Sequence, residues 1–230
     1  TTPQILEKVL DGAGIPRSHY RLQLHASYAP RDYCVQYRES DFAFISRLME
    51  SDGIYYYFEH DEAKHVLIMT DQAAGGRMIA GDPGLSFAQS REREPLARFR
   101  IGESIRPQRV SLRDRNLHRP AELIEASEGQ GGEREIYDYP GGVQSSDRGG
   151  PESGGQQVRL RLEALQAFRR AGSGESDSPR LTPGCAFTLS RHHRDDYNRE
   201  YRLLAVHHRG EQPQSLDEDA ASAFHYGNAF

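Results

Sequence analysis

Three residue types are scarce in this sequence of 230 residues: tryptophan is absent, and cysteine and lysine occur twice each. Cys34 and Cys185 are too few and too far apart for a disulfide framework or a cysteine metal site. Because Lys8 and Lys64 are the only lysines among 29 basic residues, 27 are arginines, a bias that a GC-rich coding sequence explains more simply than arginine-specific chemistry. The longest apolar run, Ile54 to Phe58, is far too short to span a membrane.

The sequence also lacks the short motifs that mark common active sites. It contains no G-x-S-x-G, H-E-x-x-H, C-x-x-C or phosphate-binding P-loop pattern. Gly12-Ala13-Gly14 lacks the third glycine of a dinucleotide-binding turn and follows a predicted helix rather than a strand. We therefore expect no enzymatic activity and no bound cofactor.

Two histidine doublets, His192-His193 and His207-His208, are the best candidates for metal ligands. Adjacent residues of a strand point to opposite faces, so each doublet offers one ligand to a given centre, and no third ligand has a defined spacing. The same geometry argues against Asp195 and Asp196 as a paired acid and base. We interpret these residues as polar surface and expect no metal site.

The charge distribution argues against polyanionic partners. The net charge is -5 and the pI about 6.1, so no overall basic field favours nucleic acid or an anionic membrane surface. Arginines are dense from residue 91 to 115, but acidic residues are interleaved and Phe99 is the only aromatic residue available for base stacking. We expect a solvated or subunit-facing strand surface, whose arginines are Arg91, Arg93, Arg98, Arg100, Arg106, Arg109, Arg113 and Arg115.

Residues 1–72 have the pattern of a small α+β unit. Apolar residues at helical spacing follow Thr2-Pro3 and Ser40-Asp41, and Gly12 and Gly53 end the two helices. Alternating or continuous apolar residues predict strands over 20–25, 33–37, 54–58 and 65–69, with a turn over 60–64.

The rest of the chain is predicted to be mainly sheet. Residues 73–95 lack a period and indicate a linker, 96–212 indicate a β domain with one inserted helix, and 213–230 indicate a connector. Within 96–212 we predict the following elements: a strand over 110–112, a hairpin joining Leu123-Ile124 to Ile136-Tyr137, loops over 141–155 and 172–179, a helix over 158–168, and strands over 186–190 and 201–207.

Four colinear segments make the sequence recognisable. They are RDYCVQYRESD (31–41), which continues to DGIYYYFEH (52–60), then VSLRDRN (110–116), EIYDYPG (135–141) and NREYRL (198–203). Together they resemble the VgrG and Rhs-associated Vgr spike proteins of type VI secretion, whose hub fold is shared with the late-control hub proteins of contractile phages. The matching positions are interpreted as structural and are Tyr33, Val35, Tyr37, Asp41, Phe42, Leu48, Gly53, Tyr55, Tyr57, Asp114, Tyr137, Tyr139, Pro140, Gly141, Asn198 and Tyr201.

The resemblance implies a fold and an assembly. It implies a mainly β, α+β chain with a tail-hub β-barrel tube domain and a small α+β domain. It further implies that three copies form a pseudo-sixfold ring that caps the Hcp tube, assembled in the bacterial cytoplasm and then secreted by the type VI apparatus. Family members usually carry an earlier barrel, and later an OB-like domain with a needle through which effectors or adaptors bind, so the chain resembles an internal fragment.

Three alternatives stay open at this point. A prophage or phage-tail-like bacteriocin hub belongs to the same structural class. A cell-wall hydrolase has precedent in phage hubs with lysozyme domains, although no nucleophile motif is present. The tyrosine run from Tyr55 to Tyr57 suggests a glycan-binding β module, although alternation along a strand sends half of its rings to each face.

Overall fold

A computed structural model describes residues 1–72, 77–87, 94–116, 119–143, 152–211 and 225–230. They form two compact units, each built from two stretches of chain. Unit 1 comprises Thr1–Gln72 and Glu103–Arg170, and unit 2 comprises Ala73–Gly102 and Ala171–Phe230. The units therefore do not follow the order of the chain, and the assignment of 1–72 and 96–212 to separate parts of a hub stays a prediction.

Unit 1 combines the three α-helices with strands, while unit 2 is built mainly from strands. The helices are α1 (Thr2–Gly12), α2 (Asp41–Ser51) and α3 (Glu152–Gln166). The strands are β1 (Tyr20–Gln23), β2 (Tyr55–His60), β3 (His65–Thr70), β4 (Gly84–Ser86), β5 (Leu96–Glu103), β6 (Arg109–Arg115), β7 (Leu123–Gly129), β8 (Glu135–Asp138), β9 (Arg170–Ser176), β10 (Ala186–Ser190), β11 (Glu200–Arg202), β12 (His207–Glu211) and β13 (His225–Ala229).

Unit 1 contains two three-stranded sheets, each with a helical layer. The first has the order β1-β3-β2, with β1 parallel and β2 antiparallel to β3, and its core joins Leu6 of α1, Leu48 of α2 and Met69 of β3. The second has the order β7-β6-β8, and α3 packs on it through Val158 and Leu162. Apolar residues at helical spacing in α1, α2 and α3 therefore form these cores, as their periodicity predicts.

Unit 2 is organised around an aromatic core. Its sheets have the orders β11-β10-β4 and β12-β13-β9-β5, and Phe187 and Leu189 of β10 are fully buried between elements. Phe99 of β5 and Phe230 pack against the same core. None of the four sheets closes on itself within the described ranges, so a complete barrel is not seen there, whereas the mainly β, α+β class is confirmed.

The loop predicted over 141–155 ends too late, because α3 begins at Glu152. Three further local predictions are wrong, each because tertiary pairing overrides a local pattern. Residues 33–37 alternate but pair with no other strand in the described part of the chain, and so form no strand. β7 and β8 do not form a hairpin, because both pair with β6, one antiparallel and one parallel. Residues 170–176 form β9 rather than a loop, because they pair with β13 and β5. Gly174 leaves room for the Phe230 ring, which a Cβ at that position would overlap.

Two smaller differences concern the end of the chain. The single strand predicted over 201–207 is divided into β11 and the start of β12. The tail was expected to lack regular structure, but His225–Ala229 forms β13 between β12 and β9. The acidic patch at residues 217–219 lies outside the described residues, as do Arg91 and Arg93.

His192 lies inside the aromatic core of unit 2 and is 4% exposed, so the prediction that it belongs to a polar surface is wrong. Its ring centroid is 4.4 Å from that of Phe87, 4.2 Å from that of His193 and 4.8 Å from that of Tyr197. Burial, followed by the nearby charge of His193, lowers the pKa of His192 below its ordinary value. The neutral imidazole is therefore the form that the folded protein accommodates.

We expect this histidine to make folding sensitive to mild acid. Because the folded pKa is lowered, the unfolded chain binds the proton more readily, so stability is complete above about pH 6.5 and falls as the pH drops below it. Urea unfolding at pH 7.5 and pH 5.5 measures this loss. His192→Gln should flatten the pH dependence although it lowers stability at both values, while the exposed-site control His19→Gln should keep the wild-type slope. An unchanged slope in His192→Gln would contradict the assignment.

Candidate interaction surface

Several of the motif residues are required by the packing of unit 1. Leu48 is 1% exposed in the core below α2. Gly53 follows the end of α2 with φ +71°, and a Cβ there would lie 2.6 Å from Leu160 Cδ2 of α3. A side chain at position 53 is therefore disfavoured by both backbone conformation and space.

Asp114 and Gly141 hold the chain after β8 against β6. The Asp114 carboxylate accepts a hydrogen bond of 3.2 Å from the Val143 amide, and the Gly141 amide donates one of 2.9 Å to the Arg113 carbonyl. A Cβ on Gly141 would lie 2.9 Å from Leu112 Cβ, so glycine permits this close approach. The intervening Tyr139–Pro140 peptide is cis.

Asn198 and Tyr201 have structural positions in unit 2. The Asn198 side chain accepts a 2.7 Å hydrogen bond from the His192 amide and donates one of 3.0 Å to the His192 carbonyl, which closes the loop between β10 and β11. The Tyr201 hydroxyl donates to the Tyr197 carbonyl at 2.9 Å, and its ring lies 5.8 Å from that of Phe187. Both residues stabilise this end of the core.

A second group of motif residues is exposed without a packing role. Tyr33 is 79% exposed, and Val35 and Tyr37 are also exposed, so alternate residues of an extended segment point to solvent. The segment is fixed from behind, because Arg47 donates a 2.9 Å hydrogen bond to the Val35 carbonyl and is paired with Glu39. The side chains of Tyr33, Val35 and Tyr37 are therefore exposed although the backbone of the segment is held in place.

The α2 start is fixed in the same way. Asp41 Oδ1 accepts a 2.8 Å hydrogen bond from Gln36 Nε2, and the Ser40 side chain caps the helix by accepting from the Ala43 amide at 3.2 Å. These contacts leave Phe42 exposed at the first turn. The helix cap therefore also sets the direction of an exposed aromatic ring.

Phe42 begins a row of exposed aromatic side chains that continues along β2. This aromatic row consists of Phe42, Tyr56, Phe58 and His60. Consecutive ring centroids are 6.0, 6.1 and 6.2 Å apart, and the first two pairs are nearly perpendicular, at 79° and 85°. The rings do not share one plane, so they offer no flat platform for a sugar, and edge-to-face packing against other apolar side chains suits them better.

The opposite face of β2 has another role. The Tyr55 hydroxyl donates a 2.9 Å hydrogen bond to the Gln72 carbonyl, and Tyr57 is half-buried on the same face. The motif residues of β2 therefore support the sheet, whereas Tyr56, Phe58 and His60 form the exposed row. The sequence did not single out Phe58 and His60, because alternation reveals two faces but not which one is left uncovered.

The strands that carry exposed aromatic residues lie at sheet edges. β2 is an edge strand of β1-β3-β2, and β8 is an edge strand of β7-β6-β8. Tyr137 lies in β8 and Tyr139 follows it directly, and both side chains are more than half exposed. Open edges present unpaired backbone donors and acceptors, so exposed aromatic residues beside them mark surfaces suited to protein association.

Other chemistries have little support in the described ranges. No group of three or more His, Cys, Asp or Glu side chains converges there in a way that suits a metal ion. Within the same ranges, no helix combines the length and the hydropathy that crossing a bilayer requires. His207 and His208 lie on β12, opposite Ala229 and Asn228 of β13.

Comparison with known proteins identifies the family. A family model described as "Phage tail baseplate hub (GPD)" matches residues 1–214. The chain belongs to the phage tail baseplate hub family. This membership confirms the hub family that the four sequence segments indicate.

Two relatives from Pseudomonas aeruginosa are similar to this hub protein. It is 38% identical to the type VI secretion system spike protein VgrG5 over 96% of the chain and 28% of the relative, and 37% identical to VgrG2a over 97% of the chain and 27% of the relative. The chain thus spans less than a third of the length of the curated relatives that it matches.

Solved structures support the hub fold. The Escherichia coli c3393 protein, described as a component of the type VI secretion system with similarity to the T4 tail proteins gp27 and gp5, matches with a TM-score of 0.64 and 20% identity, over 100% of this chain and 47% of the other. The 43 kDa tail protein of prophage MuSo2 from Shewanella oneidensis matches with a TM-score of 0.51 and 13% identity, over 90% and 58%. The tail-hub-like fold is therefore confirmed.

The division of motif residues into buried and exposed groups predicts different effects on stability. Leu48→Ala should lower the free energy of unfolding by about 2–5 kcal/mol, because it removes buried methyl groups and leaves a cavity. Tyr33→Ser should change it by less than about 0.5 kcal/mol, because the side chain packs against little. Urea unfolding of both variants tests this difference, and comparable losses would show that Tyr33 has a packing role.

Proposed function

We propose that this chain is a structural hub segment of a type VI secretion spike, which helps to form the trimeric pseudo-sixfold ring that caps the Hcp tube and is injected with it. The observation that carries the proposal is the match of residues 1–214 to the tail baseplate hub family, together with 37–38% identity to spike proteins over nearly the whole chain. A hub acts by binding other proteins through its surfaces, so its function is assembly and not the catalysis of a reaction.

The exposed edges of unit 1 support a role in assembly. Among the described strands, β2 and β8 each have one edge without a pairing partner, and they carry exposed aromatic side chains, which are enriched at protein interfaces. In the proposed hub these edges contact neighbouring copies or the tube. The partners are thus two further copies of the same protein and the Hcp tube, with effectors or adaptors bound through other parts of a spike.

In this proposal the chain is not an enzyme. Its location follows that of the type VI secretion apparatus. It is assembled in the bacterial cytoplasm and leaves the cell with the secretion apparatus. It needs no cofactor, no nucleic acid and no insertion into a membrane. Release of soluble fragments from peptidoglycan by the chain, abolished by a single Asp or Glu substitution, would contradict this part of the proposal.

A hub of a prophage tail or phage-tail-like bacteriocin is the second candidate function. The fold shared with the MuSo2 tail protein favours it, but the 13% identity of that match is far below the identity to the type VI spike proteins. The two candidates differ in the tube protein that they bind. Binding of the chain to purified type VI tube protein and to phage tail-tube protein, measured side by side, distinguishes them.

The central prediction concerns the aromatic row. We expect the chain to associate weakly with itself and with the tube protein, and the double variant Tyr56→Ser/Phe58→Ser to weaken association about tenfold or more, because it removes two exposed aromatic anchors. Sedimentation equilibrium of the chain alone, and biolayer interferometry against the tube protein, measure these affinities.

A matched control is Leu204→Ser, which removes an exposed apolar side chain in unit 2. It should leave both affinities within about twofold of the wild-type values. If the double variant behaves like this control, the aromatic row is not an interface. If the wild-type chain binds neither itself nor either tube protein at concentrations of about 1 mM, the hub function itself is rejected.

A further inference from the structure

Unit 1 contains a small pocket that lies apart from the aromatic row. Its volume is about 220 Å³, and three segments of chain line it: the link from β5 to β6, the link from β7 to β8, and the end of α3. The side chains that matter for its chemistry are Arg106, Arg134 and Arg169, one from each segment.

Hydrogen bonds between the segments hold the pocket walls in place. The Ser104 amide donates to the Arg169 carbonyl at 2.9 Å, and the Ser104 hydroxyl donates to the Phe168 carbonyl at 3.1 Å. Gln166 Nε2 donates to the Pro107 carbonyl at 3.1 Å, and the Gln108 amide donates to the Arg134 carbonyl at 2.9 Å. The backbone that carries the arginines is therefore arranged before any partner binds.

The three arginines leave positive charge unbalanced. In the same arginine-rich stretch, Arg109 pairs with Glu135 at 3.5 Å and Arg113 with Glu125 at 2.9 Å. Arg106 instead donates from Nε to the Ser104 hydroxyl at 3.1 Å.

Arg106, Arg134 and Arg169 make no ion pair with any residue that the structure describes. Glu103, the acidic residue in the lining, lies 3.4 Å from Arg170. Three arginines and one acidic residue therefore line the pocket, and the carboxylate of that residue, Glu103, pairs with Arg170 and not with any of the three.

An exposed apolar side chain stands beside these charges. Ile105, between Ser104 and Arg106, is 80% exposed, the highest value for a large hydrophobic side chain in the described ranges. A site for phosphate alone gains nothing from an isoleucine at its rim. Arginine next to an exposed apolar anchor is instead typical of protein interfaces, where guanidinium groups bind carboxylates and apolar side chains supply buried area.

We propose that this pocket binds a partner polypeptide that presents a carboxylate next to an apolar side chain. The carboxylate enters among Arg106, Arg134 and Arg169, and the apolar side chain packs on Ile105. Charge complementarity selects the partner, because the three guanidinium groups lack acidic partners within the described structure. The inference does not depend on the hub function, since it concerns a different surface and its test uses no hub component.

The test uses the complete 230-residue chain and a synthetic acidic peptide, GSLEDLESG, labelled with fluorescein. Fluorescence anisotropy should show binding that weakens as salt increases, because the contact is ionic. Arg106→Ala and Arg134→Ala should each weaken binding about tenfold, and Ile105→Ser about threefold. The uncharged peptide GSLQNLQSG should bind at least tenfold more weakly than the acidic one.

Arg159→Ala is the matched control, because Arg159 is an exposed arginine of α3 that pairs with Glu163 outside the pocket. It should bind the peptide like the wild type, and circular dichroism should show every variant folded. Equal binding of both peptides would overturn the proposal. So would an absence of binding at millimolar peptide, or binding to inorganic phosphate or a short oligonucleotide that exceeds peptide binding and ignores Ile105→Ser.

Discussion

The hydrogen bonds of Arg31 fix the start of the exposed segment 33–37 in unit 1. Its side chain is 9% exposed, and its guanidinium group donates to Thr2 Oγ1 and to Asp52 Oδ1, each at 3.0 Å. Thr2 is the first residue of α1 and Asp52 caps the end of α2, so one side chain joins two helix ends to the segment that precedes Tyr33. A guanidinium group this buried is tolerated only when its donors are satisfied, so the path of the chain at residue 31 is strongly constrained. Residues 33–37 then leave the core in a fixed direction.

Within the described residues, the outer edges of these small sheets have no pairing strand. Three-stranded sheets have two edge strands for one central strand, and the helices of unit 1 cover faces rather than edges. Proteins usually protect an open edge with lysine, proline or a bulge, yet Tyr55–Phe58 of β2 contains none of the first two. Such an edge is costly for a protein that stays alone in water. An open edge is advantageous for a protein that is incorporated into an assembly, because a neighbouring subunit can pair with it. The packing of this small sheet is therefore consistent with a hub function.

The sequence predicted local structure where the signal was local. Apolar spacing located α1, α2, α3 and β3, and the four colinear segments indicated the tail baseplate hub family. It failed where the outcome depends on a distant partner. Residues 33–37 have the alternation of a strand but no neighbour to pair with, while Gly172 and Gly174 look like loop residues until Phe99 and Phe230 are placed over them. The candidate surface also depended on distant parts of the chain. Alternation indicated two faces of β2, but the packing around β2 decides which of its rings stay exposed.

The two surfaces of unit 1 differ in what they contribute to binding. Burial of the aromatic row depends on apolar area and is little affected by salt, so it supplies affinity that persists across ionic conditions. The arginine pocket acts through charge, which is screened beyond about 8 Å at physiological ionic strength but selects partners and accelerates their encounter. Any interface that must form in one register gains from this division, because aromatic contacts alone discriminate poorly between slightly shifted arrangements. A charged contact at a separate position penalises each shifted arrangement, since the guanidinium groups then lose their carboxylate while remaining partly desolvated.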